Sequence, residues 1–184
     1  MSIPNLLAIS RLVLTPVTMA LVLRSVDDRS VVGWAVTVFV VAALTDFADG
    51  FLARRWKITT SLGAFLDTVA DKVLVAGTLI ALVEVGTTSA WAATLIVARE
   101  LAVMGLRSVA ALDQSTVPPS WWGKSKATVQ FIAIGLAILR ADIVVGTWRL
   151  DQWAMAVAVA VTWISAGDYF ARFRSVFAAK RIAD

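Results

Sequence analysis

Between positions 46 and 71 the chain reads DFADGFLARRWKITTSLGAFLDTVAD, a segment that contains Asp46, Asp49, Asp67 and Asp71. Strongly apolar residues flank this segment on both sides. Asp46 and Asp49 are three residues apart and Asp67 and Asp71 are four apart, so each pair lies on one face of a helix. The segment therefore predicts two apolar helices, joined by a short polar connection, that each carry a pair of carboxylates.

The composition of the whole chain indicates a membrane protein. It has 184 residues, of which 59% are hydrophobic and only 16% are charged, and its mean hydropathy is +0.81. A soluble domain is nearer to about 45–50% apolar and about 25% charged. We therefore expect one membrane-embedded domain over residues 1–184, because the length leaves no room for a separate soluble domain.

Six apolar stretches predict an all-α, polytopic membrane protein with six transmembrane helices. They cover about Leu6–Leu23, Val31–Ala53, Leu62–Val83, Ala90–Leu112, Ala127–Leu139 and Trp153–Phe173. The fifth stretch is the shortest, and we expect its helix to begin near Lys124. The first is too long for a typical signal peptide and is interrupted by Arg11, so we expect it to remain in the protein as a span.

Basic residues are unevenly distributed among the connections. Most of them follow the second, fourth and sixth stretches, whereas the other connections offset their arginines with Asp and Glu. The positive-inside rule then predicts that both termini, and the connection between the second and third helices, face the cytoplasm. The net charge of +4 fits this topology and an attraction to anionic lipid headgroups, so we expect no nucleic-acid partner.

The chain contains no cysteine and no histidine. This excludes disulfides, thiolate metal sites and Cys or His nucleophiles. A general base must then be Asp, Glu, Lys or Tyr. A metal must be bound mainly by oxygen, which favours magnesium or manganese over zinc.

The four aspartates need compensating partners if they lie in or near a bilayer. An ionised side chain at the bilayer centre costs roughly 2.5–3.5 kcal/mol on insertion scales. A short connection between the two helices brings the pairs together near the cytoplasmic surface, where bound divalent cations remove their repulsion and clamp a diphosphate. The structural alternative is a set of salt bridges to Arg54, Arg55 and Lys72 that holds the helices together.

Small residues lie between the two pairs of aspartates. Gly50, Ala53 and Gly63 leave the helix surfaces bare, so that backbones pack closely or a planar base and ribose enter. Arg54 adds a fixed cation that suits phosphate oxygens. These residues predict a nucleotide or diphosphate ligand beside the carboxylates.

Together these positions spell Asp46-x2-Asp49-Gly50-x2-Ala53-Arg54-x8-Gly63-x3-Asp67-x3-Asp71. This pattern resembles, at every fixed position, the motif of the CDP-alcohol phosphotransferase family. The resemblance implies a six-helix membrane enzyme, a homodimer, with two Mg²⁺ or Mn²⁺ ions and the CDP part of a CDP-linked lipid at the motif.

The resemblance also implies roles for individual residues. Asp46, Asp49, Asp67 and Asp71 would be the metal ligands, and Asp71 would also be the base that deprotonates the acceptor alcohol. The implied contacts to the CDP-lipid are Asn5, Asp49, Gly50, Ala53, Arg54, Thr60 and Gly63.

Three further stretches are similar to one bacterial group within this family, the phosphatidylglycerolphosphate synthases. They are Ile3–Leu7 followed by Arg11, Ala98–Leu101 running into Gly105–Arg107, and Gly123–Lys126 followed by Gln130. The sequence departs from that group at Thr68, where many members have proline, and at Ala8, where many have a hydroxyl residue. The similarity implies CDP-diacylglycerol as donor, sn-glycerol 3-phosphate as acceptor, and a multi-pass protein of the bacterial inner membrane whose active site is cytoplasmic.

A small dianion such as glycerol 3-phosphate needs several cations around one cavity. The candidates for its phosphate are Arg99, Arg107, Lys124, Lys126 and Arg11. Each has a structural alternative. Lys124 and Lys126 would set topology alone, Arg99 would pair with Glu100 or a motif aspartate, and Arg11 would extend to the membrane interface.

The sequence thus predicts transfer of a phosphatidyl group from CDP-diacylglycerol to glycerol 3-phosphate in the membrane. Other acceptors remain open, namely inositol phosphate, or phosphatidylglycerol as in a cardiolipin synthase. Two alternatives come from other classes. One is a transporter that uses the aspartates as a cation relay, and the other is a helical subunit without catalytic activity.

Overall fold

The computed structural model describes the backbone of residues 3–56, 61–112 and 121–183 and the side chains of residues 5–45, 63, 65–112 and 125–174. Nearly all of the described chain is helical. The α-helices are α1 (Ile3–Arg24), α2 (Val32–Trp56), α3 (Ser61–Glu84), α4 (Ala90–Leu112), α5 (Trp121–Leu139) and α6 (Leu150–Ala183). A 3₁₀ turn (Arg29–Val31) precedes α2, and the two-residue strands β1 (Val144–Val145) and β2 (Trp148–Arg149) precede α6.

The helices confirm the predicted all-α class, with corrections at their ends. Helix α5 begins at Trp121 rather than near Lys124, and α6 continues beyond the predicted Phe173. Over the described residues, two helices are long and apolar enough to cross a membrane, Asn5–Arg24 and Leu150–Arg174. Shorter apolar helical stretches within the described residues are Arg29–Thr45 and Ser125–Leu139, and six membrane crossings stay a prediction.

The helices form a bundle with an apolar interior. Helix α1 packs along α2 and α3, α6 packs along α5 and α4, and contacts of α3 with α4 and of α2 with α5 join the two halves. The rings of Phe39 on α2 and Phe131 on α5 meet edge to face with centroids 5.9 Å apart. Leu74, Leu79 and Ile134 are fully buried in the same core.

Helices α1 and α3 approach each other closely at Gly77. A Cβ atom at that position would lie 2.9 Å from Cγ2 of Thr15 and 3.0 Å from Sδ of Met19. Arg11, one turn before Thr15, contacts Asp67 near the start of α3. The two helices therefore run in the same direction, and α1 lies beside the carboxylates of α3.

The end of the bundle that carries the strands has its own polar contacts. Gly146, in the turn between β1 and β2, has a φ of +69°, a backbone conformation that glycine adopts without strain. The indole Nε1 of Trp153 donates a hydrogen bond to the carbonyl of Val145.

In the loop after α1, the hydroxyl and backbone N–H of Ser30 lower the pKa of the Asp28 carboxyl by hydrogen bonding to it. The opposite end of the bundle, where α3 and α5 begin and α4 ends, contains the charged site.

Candidate functional site

A cavity of about 510 Å³ lies between α3, α4 and α5 at the end of the bundle where α3 begins. Most of the charged side chains of these helices line it. They are Asp67, Asp71 and Lys72 from α3, Arg99, Glu100 and Arg107 from α4, and Lys126 from α5. Residues that are far apart in sequence and were predicted for metal and for acceptor phosphate therefore share one cavity.

Asp67 and Asp71 lie one helical turn apart on α3 and both line the cavity. The Asp67 side chain remains 45% exposed, although one of its oxygens is bound by α1. Nη2 of Arg11 donates a hydrogen bond of 2.7 Å to Oδ1 of Asp67, and the Arg11 side chain is fully buried. Arg11 therefore does not extend to the membrane interface, because its guanidinium is turned inward onto a candidate metal ligand.

Asp71 is connected to α4 through Lys72. Nζ of Lys72 lies 2.6 Å from Oδ2 of Asp71 and 2.9 Å from Oε2 of Glu100. One ammonium thus bridges the expected base and a carboxylate on the next helix. Of the structural salt bridges considered for the motif aspartates, the one from Lys72 to Asp71 is present, and it leaves Asp71 at the cavity wall.

Glu100 is the most densely contacted acidic residue of the described site. Its side chain is 6% exposed and accepts from Lys72, from Nη1 of Arg99 at 2.9 Å and from Nζ of Lys126. Nε2 of Gln130 lies 3.4 Å from its Oε1. From the sequence alone, Glu100 is expected only as a partner of Arg99. The missed signal was a carboxylate within an apolar helix that also carries arginines, since a buried charge requires partners.

Arg99 is buried and bound to α6 by its own side chain. Its Nε donates to the backbone carbonyl of Thr162 at 3.0 Å, and its Nη2 donates to the hydroxyl of Ser165 at 2.9 Å. With Nη1 on Glu100, each nitrogen of the guanidinium has a protein partner. The structure therefore gives Arg99 a role in joining α4 to α6 at the cavity wall.

Arg107 and Lys126 are the other described cations of the cavity. The guanidinium of Arg107 lies over the ring of Tyr169 on α6, with Cζ 5.5 Å from the ring centroid, a cation–π arrangement. Arg107 is exposed overall and lines the cavity two turns after Arg99. Lys126 contributes an ammonium from the first turns of α5, held by Glu100.

For several predicted site residues the structure describes the backbone but not the side chain, or neither. Asp46, Asp49, Gly50, Ala53 and Arg54 belong to the last turns of α2, and Lys124 to the first turn of α5, but their side chains lie outside the described residues, as does Thr60 altogether. Gly63 lies in the first turn of α3, which leads to the cavity.

Asn5 lies in the first turn of α1, because the helix begins at Ile3. Its Oδ1 is buried and lacks a hydrogen-bond partner among the described residues. Asn5 precedes Arg11 by about nine ångströms along the helix axis, at the same end of the bundle as the cavity.

The described part of the site fits a hard cation in the type of its donors. Asp67 and Asp71 offer carboxylate oxygens at one cavity wall, which are the ligands that magnesium and manganese prefer. Within the described residues no cluster of three or more acidic, His or Cys side chains forms a metal site. The remaining predicted ligands are Asp46 and Asp49. They lie on the part of α2 whose side chains the structure does not describe.

Comparison with known proteins identifies the family of the chain. The family model described as CDP-alcohol phosphatidyltransferase matches residues 1–164. The chain belongs to the CDP-alcohol phosphatidyltransferase family. The match extends from α1 into α6, so the charged cavity lies wholly within the CDP-alcohol phosphatidyltransferase region.

Individual relatives are similar over nearly the whole chain. A Mycobacterium tuberculosis protein named probable phosphatidylglycerophosphate synthase is 38% identical over 175 residues, 93% of this chain and 81% of the relative. A Bacillus subtilis protein named CDP-diacylglycerol–glycerol-3-phosphate 3-phosphatidyltransferase is 33% identical and covers 93% of this chain and 94% of its own length. A Haemophilus influenzae protein of the same name is 35% identical and covers 90% of this chain and 85% of its own length.

Proposed function

We propose that this protein transfers the phosphatidyl group of CDP-diacylglycerol to sn-glycerol 3-phosphate, producing phosphatidylglycerol phosphate and CMP. The observation that carries the proposal is that acidic and basic side chains line the same cavity. The carboxylates of Asp67 and Asp71 share it with the cations of Arg107 and Lys126. The relatives named for this reaction match the chain over nine tenths of its length.

The proposed cofactor is a pair of Mg²⁺ or Mn²⁺ ions. Asp46, Asp49, Asp67 and Asp71 would hold them, since each offers hard oxygen donors and the described two line the cavity. When bound, such ions neutralise the diphosphate and stabilise the charge that develops on the leaving CMP.

Asp71 is the proposed general base. Its carboxylate takes the proton from the attacking hydroxyl of glycerol 3-phosphate, whose oxygen forms a bond to the β-phosphorus. The bond between that phosphorus and the bridging oxygen breaks, and CMP leaves with the electron pair. The contact of Asp71 with Lys72 orients the carboxylate. A direct displacement is the simplest course, because the chain has no Cys or His to form a covalent intermediate.

The acceptor phosphate needs cations that a ligand can reach. Arg107 is exposed at the cavity and Lys126 reaches it from α5. Arg99 lies deeper and is bound by the protein through each guanidinium nitrogen. We assign direct phosphate contacts first to Arg107 and Lys126, with Lys124 as a further candidate, and to Arg99 the task of holding the wall behind them.

The proposed location is the bacterial inner membrane, with the cavity on the cytoplasmic side and both termini in the cytoplasm. The cavity lies at the end of the bundle where α2 ends and α3 begins. The sequence between these helices is basic, and basic connections face the cytoplasm by the positive-inside rule. A water-soluble acceptor reaches the site from the cytosol, while the acyl chains of the donor remain in the lipid. We further propose six crossings and a homodimer, as the resemblance implies.

An acceptor panel tests this function. Purified protein is supplied with CDP-diacylglycerol, magnesium and one acceptor at a time, and CMP release is measured. Glycerol 3-phosphate should give the fastest release. Faster release with inositol phosphate or with phosphatidylglycerol would assign a different acceptor within the family. Absence of CMP release with all three acceptors would contradict the proposed reaction.

A further inference from the structure

Glu100 has an unusual position for an acidic residue of a cavity that must bind anions. Its carboxylate is nearly fully buried and lies among Lys72, Arg99 and Lys126. These cations come from three helices, and all of them line the cavity. A carboxylate there weakens the attraction for phosphate, so its presence calls for a physical reason beyond ligand binding.

Local charge supplies part of that reason. Lys72, Arg99 and Lys126 carry three positive charges at distances where buried charges interact strongly. Asp71 contacts only Lys72 among them. Without Glu100, Arg99 and Lys126 would face each other with no acidic partner among the described contacts. Loss of one member of a buried ion cluster leaves the remaining charges uncompensated.

Position supplies the other part. Glu100 holds Lys72 from α3 through Oε2 and Lys126 from α5 through Oε1. The same Oε1 accepts from Arg99, which is bound to Thr162 and Ser165 on α6. Glu100 thus connects α4 directly to α3 and α5, and through Arg99 to α6, at the wall of the cavity.

One of the two lysines contacts the proposed base, and the other is a proposed contact of the acceptor phosphate. Lys72 contacts Asp71, the proposed base, at 2.6 Å. Lys126 is a proposed contact of the acceptor phosphate. Glu100 holds both ammonium groups, one on each of its oxygens, and so determines the separation between the base and the acceptor cation.

We propose that Glu100 is a positioning residue for the transfer reaction. Its carboxylate fixes Lys72 against Asp71 and Lys126 against the cavity wall, so that the acceptor hydroxyl meets the base when the acceptor phosphate is bound. The inference rests on the proposed function and adds a residue that acts through Lys72 and Lys126. A displacement of about one ångström between a base and its substrate lowers rates by about a hundredfold, which makes such an anchor effective.

The charge and the position of Glu100 predict opposite effects on binding and turnover. Glu100→Gln keeps the shape but removes one negative charge, so the cavity attracts the acceptor dianion at least as strongly as before. The lysines lose their common anchor, so turnover falls. A residue that only stabilises the fold would instead lower the amount of active protein and leave the KM and kcat of the folded fraction unchanged.

The experiment compares wild type, Glu100→Gln, Glu100→Asp and the control Glu84→Gln, which makes the same change at an exposed residue at the other end of α3. CMP release is measured against glycerol 3-phosphate concentration, and folded protein is quantified by size-exclusion chromatography in detergent. For Glu100→Gln we expect kcat to fall by about tenfold or more, with KM for glycerol 3-phosphate unchanged or lower. Glu100→Asp, which retains the charge, should recover part of kcat, and Glu84→Gln should match wild type.

A wild-type kcat in Glu100→Gln, or a raised KM with kcat unchanged, would overturn the inference. So would a Glu100→Asp variant that is as slow as Glu100→Gln. If Glu100→Gln yields no folded protein, Glu100→Asp decides alone: kcat reduced with KM unchanged supports the role, and wild-type kinetics contradict it. Failure of the proposed function itself is distinguishable, because wild type would then release no CMP in the same assay.

Discussion

Arg11 on α1 and Asp67 on α3 form a salt bridge of 2.7 Å, 56 residues apart in sequence, in which the arginine side chain is completely buried. A guanidinium removed from water requires an acidic partner. Asp67 provides one while it also faces the cavity. The first helix of the chain thereby orients a proposed metal ligand that it does not itself carry.

The first prediction concerns this salt bridge. Arg11→Lys retains the charge but lacks the planar, multiply donating geometry of the guanidinium, so Asp67 loses its fixed orientation. Loss of a residue that hydrogen-bonds to a metal ligand and orients it weakens metal binding by about 10- to 100-fold. We expect the Mn²⁺ concentration for half-maximal activity to rise accordingly, and Mn²⁺ binding measured by electron paramagnetic resonance to weaken in parallel. Arg24→Lys, at an exposed site on the same helix, is the control. An unchanged Mn²⁺ affinity in Arg11→Lys would contradict the proposed role.

The second prediction concerns the contact between α1 and α3. Gly77→Ala puts a methyl group 2.9 Å from the short, stiff side chain of Thr15, so the helices must separate. Overpacking of this kind lowers the free energy of unfolding by about 1–3 kcal/mol. Gly135→Ala is the control, because a Cβ there has no neighbour within 4 Å and alanine favours the helix. Thermal unfolding in detergent should give a lower Tm for Gly77→Ala than for wild type, with Gly135→Ala equal to wild type or higher. The reverse order would show that α1 and α3 are not so closely packed.

The third prediction concerns the proposed base. Asp71→Asn keeps the size of the side chain but cannot accept the proton of the acceptor hydroxyl, so kcat should fall by about 10²–10⁴-fold. The variant should elute as folded protein, because the amide oxygen still accepts from Lys72. Asp27→Asn, in the exposed loop after α1, should leave CMP release unchanged. Normal CMP release by Asp71→Asn would refute the assignment of the base.

The fourth prediction separates the acceptor from the donor. Arg107→Ala removes the most accessible described guanidinium of the cavity, and the loss of a charge-assisted hydrogen bond should raise KM for glycerol 3-phosphate by about 10- to 100-fold. KM for CDP-diacylglycerol should change little. Arg29→Ala, which removes an exposed arginine at the opposite end of the bundle, should affect neither constant. An equal rise in both KM values would show that Arg107 does not act on the acceptor alone.

The fifth prediction concerns the proposed ions. Chelation with EDTA should abolish CMP release, and excess magnesium or manganese should restore it, because the diphosphate and the carboxylates repel each other without a cation. Zinc should restore less activity, since the chain lacks the His and Cys ligands that zinc sites commonly use. Full activity after exhaustive chelation would contradict the metal requirement.

Local rules predicted the helical class and two neighbouring residues of the cavity wall. Helical periodicity put Asp67 and Asp71 on one face, and both line the same cavity. The spacing that defines the motif also carried the family resemblance, which the comparison confirmed over residues 1–164. Helix ends were less well predicted, as the earlier start of α5 shows, because apolar patterns fade gradually where charged residues begin.

The contacts between helices could not be predicted from those rules. Local spacing left Arg11 with two alternatives, a phosphate or the membrane interface, and the fold supplied a third partner in Asp67. Glu100 was noted only beside Arg99, whereas the bundle brings Lys72 and Lys126 to the same carboxylate. Gly77 was not singled out, although α1 passes directly over it.

By itself, the amino-acid sequence determined which residues each helix presents on a face, because the rise and turn of a helix are the same wherever it forms. It therefore determined the helical class, the spacing of the carboxylates and the set of basic residues available to the candidate site. Only the tertiary structure decided which cation meets which carboxylate. That choice depends on how the helices rotate and approach one another as they pack, and side chains many tens of residues apart share a cavity only after those rotations are set.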